Sequence, residues 1–307
     1  MISLVTLEGP TASGKSELAL RLALELGTDI ISADSRQVYR YLDIGTAKPS
    51  AEALKAVKHH LVDIVDPSES YNAGRFCADA VKIIAELDAQ GKLPLVCGGT
   101  GLYVDAILRG LFPQIEISTE LRALLRQRLE QEGLDVLYQE LAGHDPFFAS
   151  GISSNDKQRI LRGLEVFHAT GLPISEHWRR QETKRRFTAF RILIDPPREI
   201  LYERINARVI KMLDGGLLDE IRRLIDRGYG PASPGLNSVG YKEYFPHLSG
   251  EATLAKCAAL AAQHTRNYAK RQCTWYRKHK FDLTLGSNEC NISGIAGLIR
   301  DWQKSLN

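Results

Sequence analysis

Long hydrophobic runs are missing from this sequence. Its apolar stretches are short and broken across 307 residues, and none approaches the roughly 20 residues that a membrane-spanning helix needs. No membrane role is expected. Cysteine is scarce as well: Cys77, Cys97, Cys257, Cys273 and Cys290 form no C-x-x-C pair and no metal-ligand spacing. That excludes a zinc ribbon and a disulfide framework, and an odd set of isolated thiols reads as reduced cysteine in a cytoplasm. The first residues, Met1-Ile2-Ser3-Leu4-Val5, lack a basic region and a small-residue cleavage site, which argues against a secretory signal. No internal repeat or low-complexity segment interrupts the chain.

What is present fits a soluble globular protein, with 44% hydrophobic and 25% charged residues. The length allows one substantial core and a smaller appended unit. The net charge of +3 is uninformative, but its distribution is not. Residues 264–280, HTRNYAKRQCTWYRKHK, carry Arg266, Lys270, Arg271, Arg277, Lys278 and Lys280 and no acid. Residues 179–186 add Arg179, Arg180, Lys184, Arg185 and Arg186 against Glu182 alone. Two such concentrations suggest a polyanionic partner on one face; solvated helix faces are the plainer alternative. Tyr268, Trp275 and Tyr276 interleave with the first basic set, so these aromatics either stack on unpaired bases or pack into the core.

Short apolar runs punctuate the chain at 2–7, 30–31, 93–97 and 190–194, each stopped by polar, glycine or proline residues. Helical spacing covers 15–26, with Gly27 placed as a C-terminal stop. Buried strands alternating with amphipathic helices predict an α/β fold with a parallel sheet flanked by helices. Residues 113–187 change character and read as helices at 119–132, 134–142 and 156–169. They are expected to form an all-helical insertion into a core made of 1–112 and 188–307. Residues 198–228 and 251–281 read as long helices returning to that core.

Between the first run and the first helix lies Gly9-Pro10-Thr11-Ala12-Ser13-Gly14-Lys15-Ser16, which satisfies G-x-x-x-x-G-K-[ST] in the strand–helix context the motif requires. Its backbone amides can turn inward around phosphate oxygens, and the helix N-terminus adds positive potential. Lys15 is expected on terminal phosphate charge and the Ser16 hydroxyl on Mg²⁺. A P-loop specifies a bound di- or triphosphate and leaves the reaction open. Asp34 and Asp195 are equal candidates for the acidic residue that follows a buried strand in P-loop proteins.

Several blocks resemble the tRNA dimethylallyltransferase family, in its bacterial form. They are GPTASGKS at 9–16, DSRQVYR at 34–40, DIGTAKP at 43–49, GGTGLY at 98–103, NDKQRILRGLEV at 155–166, SVGYKE at 238–243 and TRNYAKRQCTWYR at 265–277. The resemblance implies a P-loop NTPase-like core and a prenyl transfer. The exocyclic amine of the adenosine at tRNA position 37, just 3′ of the anticodon, attacks dimethylallyl diphosphate and diphosphate leaves. It implies Asp34 as acceptor of the amine proton and Thr100 near the reacting diphosphate. Arg208 is the best match for a diphosphate-contacting arginine, with Arg204 the competing choice. An aspartate is too weak a base to deprotonate a neutral amine, but it can take the proton as positive charge develops on nitrogen. Mg²⁺, Lys15 and the P-loop amides would stabilise the leaving group.

The same resemblance implies a partner, the tRNA anticodon stem-loop, whose target base must be flipped out of its stack. Contacts are expected from Asp34, Ser35, Arg36, Gln37 and Thr100 around the flipped base. Arg122, Gln158, Arg159, Ile160, Leu161 and Arg162 are expected to contact it from the insertion. Gly240, Tyr241 and Lys242, and the helical Arg266, Lys270, Arg271 and Arg277, complete the set. Departures from the family pattern are small: Ser16 in place of Thr, Gly163 in place of Ala, Cys273 at an aliphatic position. A monomeric cytoplasmic enzyme is expected. Competing readings are a small-molecule or nucleotide kinase, a nucleotide-gated RNA-binding protein, and an enzyme that prenylates free adenine nucleotides.

Overall fold

A computed structural model describes residues 1–110, 115–180, 186–286 and 291–306. Lys184 and Arg185 of the second basic stretch, Cys290, and the expected start of the insertion at 113 lie outside the described residues. The chain divides into two compact units, Met1–Arg109 with Arg185–Asn307, and Gly110–Lys184.

The first unit is built on strands Ile2–Glu8 (β1), Ile30–Ser32 (β2), His59–His60 (β3), Leu95–Gly98 (β4), Phe187–Ile194 (β5) and Leu283–Leu285 (β6). They form one sheet in the order β3-β2-β4-β1-β5-β6, and every pairing is parallel. Its helices before the insertion are Lys15–Leu26 (α1), Ala51–Ala56 (α2), Ala73–Ala89 (α3) and Gly101–Arg109 (α4). The second unit holds Thr119–Glu132 (α5), Leu134–His144 (α6), Pro146–Ser150 (α7), Lys157–Thr170 (α8) and Ile174–Arg180 (α9). The first unit then continues with Arg198–Asp214 (α10), Leu217–Asp226 (α11), Phe245–Leu248 (α12), Leu254–Tyr276 (α13) and Ile292–Lys304 (α14).

Alternation along the strands decides what covers each face of the sheet. Leu4, Ile31 and Val96 point to the side packed by Phe76, Ala80, Ile84 and Leu87 of α3 and by Tyr103, Val104 and Ile107 of α4. Val5, Leu7, Leu95, Ile192 and Ile194 point to the other side, against Leu18 and Leu22 of α1 and Ile295 and Ile299 of α14. Both faces are therefore dry, as a parallel sheet requires. The second unit has its own core of Leu125, Leu137, Leu141, Phe148, Ile160 and Leu164. No described helix is long and apolar enough to cross a membrane.

Two expectations are corrected. The helix read over 198–228 is two helices, because Gly215-Gly216 breaks it and Gly216 takes φ 92°, a left-handed conformation that costs glycine little. The sheet also has more strands than the four apolar runs suggested. β3 and β6 are too short for a periodicity to register, and α14 lies beyond the last helix read.

Candidate active site

The C-terminal ends of β1, β2 and β4 converge, and each leads directly into a loop that carries chemistry. β1 runs into the P-loop. There Ala12 (φ 62°) and Gly14 (φ 97°) adopt left-handed conformations, curling the backbone ahead of α1. The register pairs Glu8 with Gly98, which sets Gly9 and Gly99 side by side. Gly98 must be glycine, because a Cβ there would strike the backbone carbonyl of Ala33. A Cβ at Gly99 would sit 3.5 Å from the Lys15 ammonium nitrogen, so Lys15 reaches toward this second turn while donating to the Pro10 carbonyl at 3.2 Å. The strand end beneath the P-loop is pinned laterally: the buried Glu8 carboxylate accepts two bonds from Arg191 of β5, each 2.9 Å. Burial raises the Glu8 pKa while that guanidinium opposes the rise.

β2 runs into Asp34. One carboxylate oxygen of Asp34 accepts from the Arg36 amide at 2.8 Å and the Gln37 amide at 3.4 Å, which shapes the turn. Thr100, on the loop after β4, donates its amide to the Ala33 carbonyl at 3.2 Å. Its hydroxyl accepts from the Ser35 amide at 3.1 Å. Thr100 and Asp34 are thus held on one another's loops.

Electrostatics tie this turn to the P-loop. Burial holds the Lys15 pKa below its ordinary value; the Asp34 charge pulls it up and the Arg208 charge pushes it down. Burial likewise lowers the Arg208 pKa, with Asp34 opposing. Burial and the Asp34 charge push Tyr268 up to about 12. The Asp34 charge therefore acts on Lys15, Arg208 and Tyr268 in partly dry surroundings, where charges act strongly. Arg204, the competing arginine, donates instead to the Ser13 carbonyl at 3.3 Å and braces the P-loop from outside. Asp195 is exposed at the end of β5.

The remaining expected RNA contacts separate by exposure. Lys242, Lys270, Arg271 and Arg277 are exposed, and Arg266, partly exposed, bonds Asn206 at 2.6 Å. In the second unit Arg122, Gln158 and Arg159 are exposed and Arg162 partly so. Tyr241 and Ile160 are corrections: both are fully buried. Tyr241 donates to Glu220 at 2.6 Å and Ile160 lies in the helical core, so both side chains are turned to the interior. Leu161 packs partly against that same core. The Gly240 amide is taken by Glu243 at 2.8 Å. Arg36 bonds the Pro234 carbonyl at 3.2 Å and Gln37 the Ala47 carbonyl at 3.1 Å, so both side chains brace loops.

On α13 the aromatic alternatives resolve differently for each residue. Tyr276 is buried, with its hydroxyl 3.3 Å from the Gly9 carbonyl and 3.2 Å from that of Gly99. Trp275 is half-buried and stacks on His279, rings 5.6 Å apart. Tyr268 turns toward the Asp34 site. Tyr268, Gln272 and Tyr276 recur every four residues and so share one face of α13. That inward stripe is visible in the spacing, but the more conspicuous basic residues mask it.

Ser16 is exposed at the start of α1. Among the described residues no group of three or more His, Cys, Asp or Glu side chains could hold a metal ion. The Ser16 hydroxyl is a hard oxygen donor, a type that suits a Mg²⁺ held mostly by substrate phosphates and water.

Comparisons with known proteins agree on one kinship. The chain is 44% identical to tRNA dimethylallyltransferase 1 of Syntrophotalea carbinolica, over 92% of this chain and 91% of that one. It is 44% identical to the tRNA dimethylallyltransferase of Geobacter sulfurreducens, over 90% and 89% respectively. The solved tRNA isopentenylpyrophosphate transferase of Staphylococcus epidermidis superposes with a TM-score of 0.71 at 34% identity, each chain covered fully. A eukaryotic dimethylallyltransferase acting on tRNA superposes at 0.80 with 28% identity, covering 94% of this chain and 75% of that one. The IPP transferase family model matches residues 37–279, a span that holds Thr100, Arg208 and the inward face of α13. The chain belongs to the IPP transferase family.

Proposed function

We propose that this protein transfers a dimethylallyl group from dimethylallyl diphosphate to the exocyclic amine of the adenosine at tRNA position 37, releasing diphosphate. The observation that carries the reading is the convergence of adjacent strand ends, one running into the P-loop with Lys15 and the others into the turns of Asp34 and Thr100, with the Asp34 charge acting on Lys15 and Arg208. Two cations there suit a departing diphosphate, and one carboxylate suits an amine that becomes positive as it attacks. The adenine nitrogen forms a bond to the first carbon of the prenyl group. The carbon–oxygen bond breaks, its electron pair leaves with the diphosphate, and the amine proton passes to Asp34. The P-loop amides, Lys15 and Arg208 receive the charge that builds on the leaving group. Thr100, whose hydroxyl already accepts from Ser35, orients the space between the two ends. Ser16 would hold Mg²⁺, which neutralises diphosphate charge when bound.

The test is direct. Purified protein incubated with labelled dimethylallyl diphosphate, Mg²⁺ and unmodified tRNA yields a prenylated nucleoside at the position 3′ of the anticodon. Formation of ADP from ATP with tRNA left unchanged would instead establish the kinase reading.

The exposed cations on α13 and just past its end give a second expectation. Replacing Lys270, Arg271 or Arg277 with alanine weakens tRNA binding and lowers the slope of log affinity against log salt by about 0.7–0.9 for each phosphate no longer neutralised. Filter binding across a salt series measures it. An unchanged slope in all three variants would remove α13 from the RNA interface.

A further inference from the structure

We propose that Gln272 is a positioning residue for the transfer, locking the diphosphate cradle to the turn that carries Thr100. This rests on the prenyl-transfer reading for its catalytic consequence. Its geometry stands independently.

Gln272 is 6% exposed. Its side-chain oxygen accepts from the Thr11 amide at 2.9 Å, inside the P-loop. Its side-chain nitrogen donates to the Gly99 carbonyl at 2.7 Å. A carboxamide is suited to this crevice because one end accepts and the other donates. The crevice has been left open for it: a Cβ at Gly99 would lie 2.5 Å from the Gln272 nitrogen. One turn further along α13, the Tyr276 hydroxyl sits between the Gly9 and Gly99 carbonyls, a second stitch across the same two strand ends.

The consequence follows from what adjoins Gly99. The next residue is Thr100, which bonds Ala33 and Ser35 on either side of Asp34. On the other side of the bridge, Thr11 lies four residues before Lys15. Gln272 therefore fixes the distance between the groups that receive the diphosphate and the group that receives the proton. In-line displacement is sensitive to that distance, since about 1 Å of misplacement can cost about a hundredfold in rate. The outer face of the same helix carries Lys270 and Arg271, so the element that meets the polyanion also sets the spacing of the reactive ends.

Two nearly isosteric variants separate positioning from mere packing. Gln272→Leu removes both bonds. Gln272→Glu keeps the acceptor for Thr11 but sets a carboxylate oxygen against the Gly99 carbonyl. Protonation restores a donor there, and a buried carboxyl protonates above its usual range. At about pH 8 both variants are expected to lose about 10- to 100-fold in kcat, with the KM for tRNA within about threefold of the parent. Their affinity for inorganic diphosphate, measured by calorimetry without tRNA, should fall about fivefold or more. Toward about pH 6 the Gln272→Glu deficits narrow against the parent at the same pH, while those of Gln272→Leu persist.

Variants within about twofold of the parent in both measurements would overturn the proposal. So would a Gln272→Glu deficit that stays constant with pH and equals that of Gln272→Leu. If the parent protein leaves tRNA unmodified, the prenyl-transfer reading fails, and the diphosphate titrations still decide whether Gln272 organises the cradle.

Discussion

Asp34→Asn lowers kcat about 10²- to 10⁴-fold, the span attributed to a missing acid–base group, and leaves tRNA affinity within about threefold. Asparagine is the informative substitution because of the turn. One oxygen of Asp34 caps the Arg36 and Gln37 amides, and an asparagine oxygen can do the same. The capacity to take a proton disappears, and with it the negative charge that acts on Lys15 and Arg208. Asp34→Ala removes that capacity and the cap together, so any change in RNA affinity would mix chemistry with a loosened loop. Single-turnover prenylation beside equilibrium tRNA binding makes the separation. Equal losses of rate and binding in the asparagine variant would reassign the carboxylate to shaping residues 34–37.

Lys15→Met should cost about 10²- to 10³-fold in kcat, the scale of one preorganised donor to charge developing in a transition state. Methionine keeps much of the buried stem and removes the ammonium. The Lys15 pKa is already lowered by burial, so the free protein bears a desolvation cost that the arriving diphosphate relieves. That arrangement favours the charged leaving group over the neutral prenyl chain, which is the discrimination a transferase needs. The Lys15 bond to Pro10 goes as well, so thermal unfolding of the variant should be recorded alongside. A rate within about threefold of the parent would mean that other groups, Arg208 foremost, carry the leaving-group charge.

The P-loop and α1 were legible because their determinants are local: a glycine pattern, an amphipathic repeat and a terminal glycine. The same periodicity predicts helices at 119–132, 134–142 and 156–169, within two residues of the observed Thr119–Glu132, Leu134–His144 and Lys157–Thr170. Other parts depend on partners far away in sequence. β6 is three residues long, and its strand character comes from pairing with β5. Gln272 bonds residues 261 and 173 positions away, and no window of sequence contains such a pair. Tyr241 looked like part of an RNA-contacting motif, yet its reason lies in Glu220. That carboxylate also accepts the amides of Asp43 and Ile44 at 3.0 and 2.8 Å. A family block records that a residue matters and is silent about which way it points.

The pairing of Ile2 with Phe187 has a consequence for biosynthesis. β1 sits in the middle of the finished sheet, but its neighbour β5 follows the entire helical insertion. At a translation speed of about 5–20 residues per second, the nascent chain presents one side of β1 unpaired for about 10–40 s. During that interval the second unit, whose contacts are local, can complete its own core. The sheet closes late, around a segment that emerged first, and until then the unsatisfied strand flank is open to misassembly.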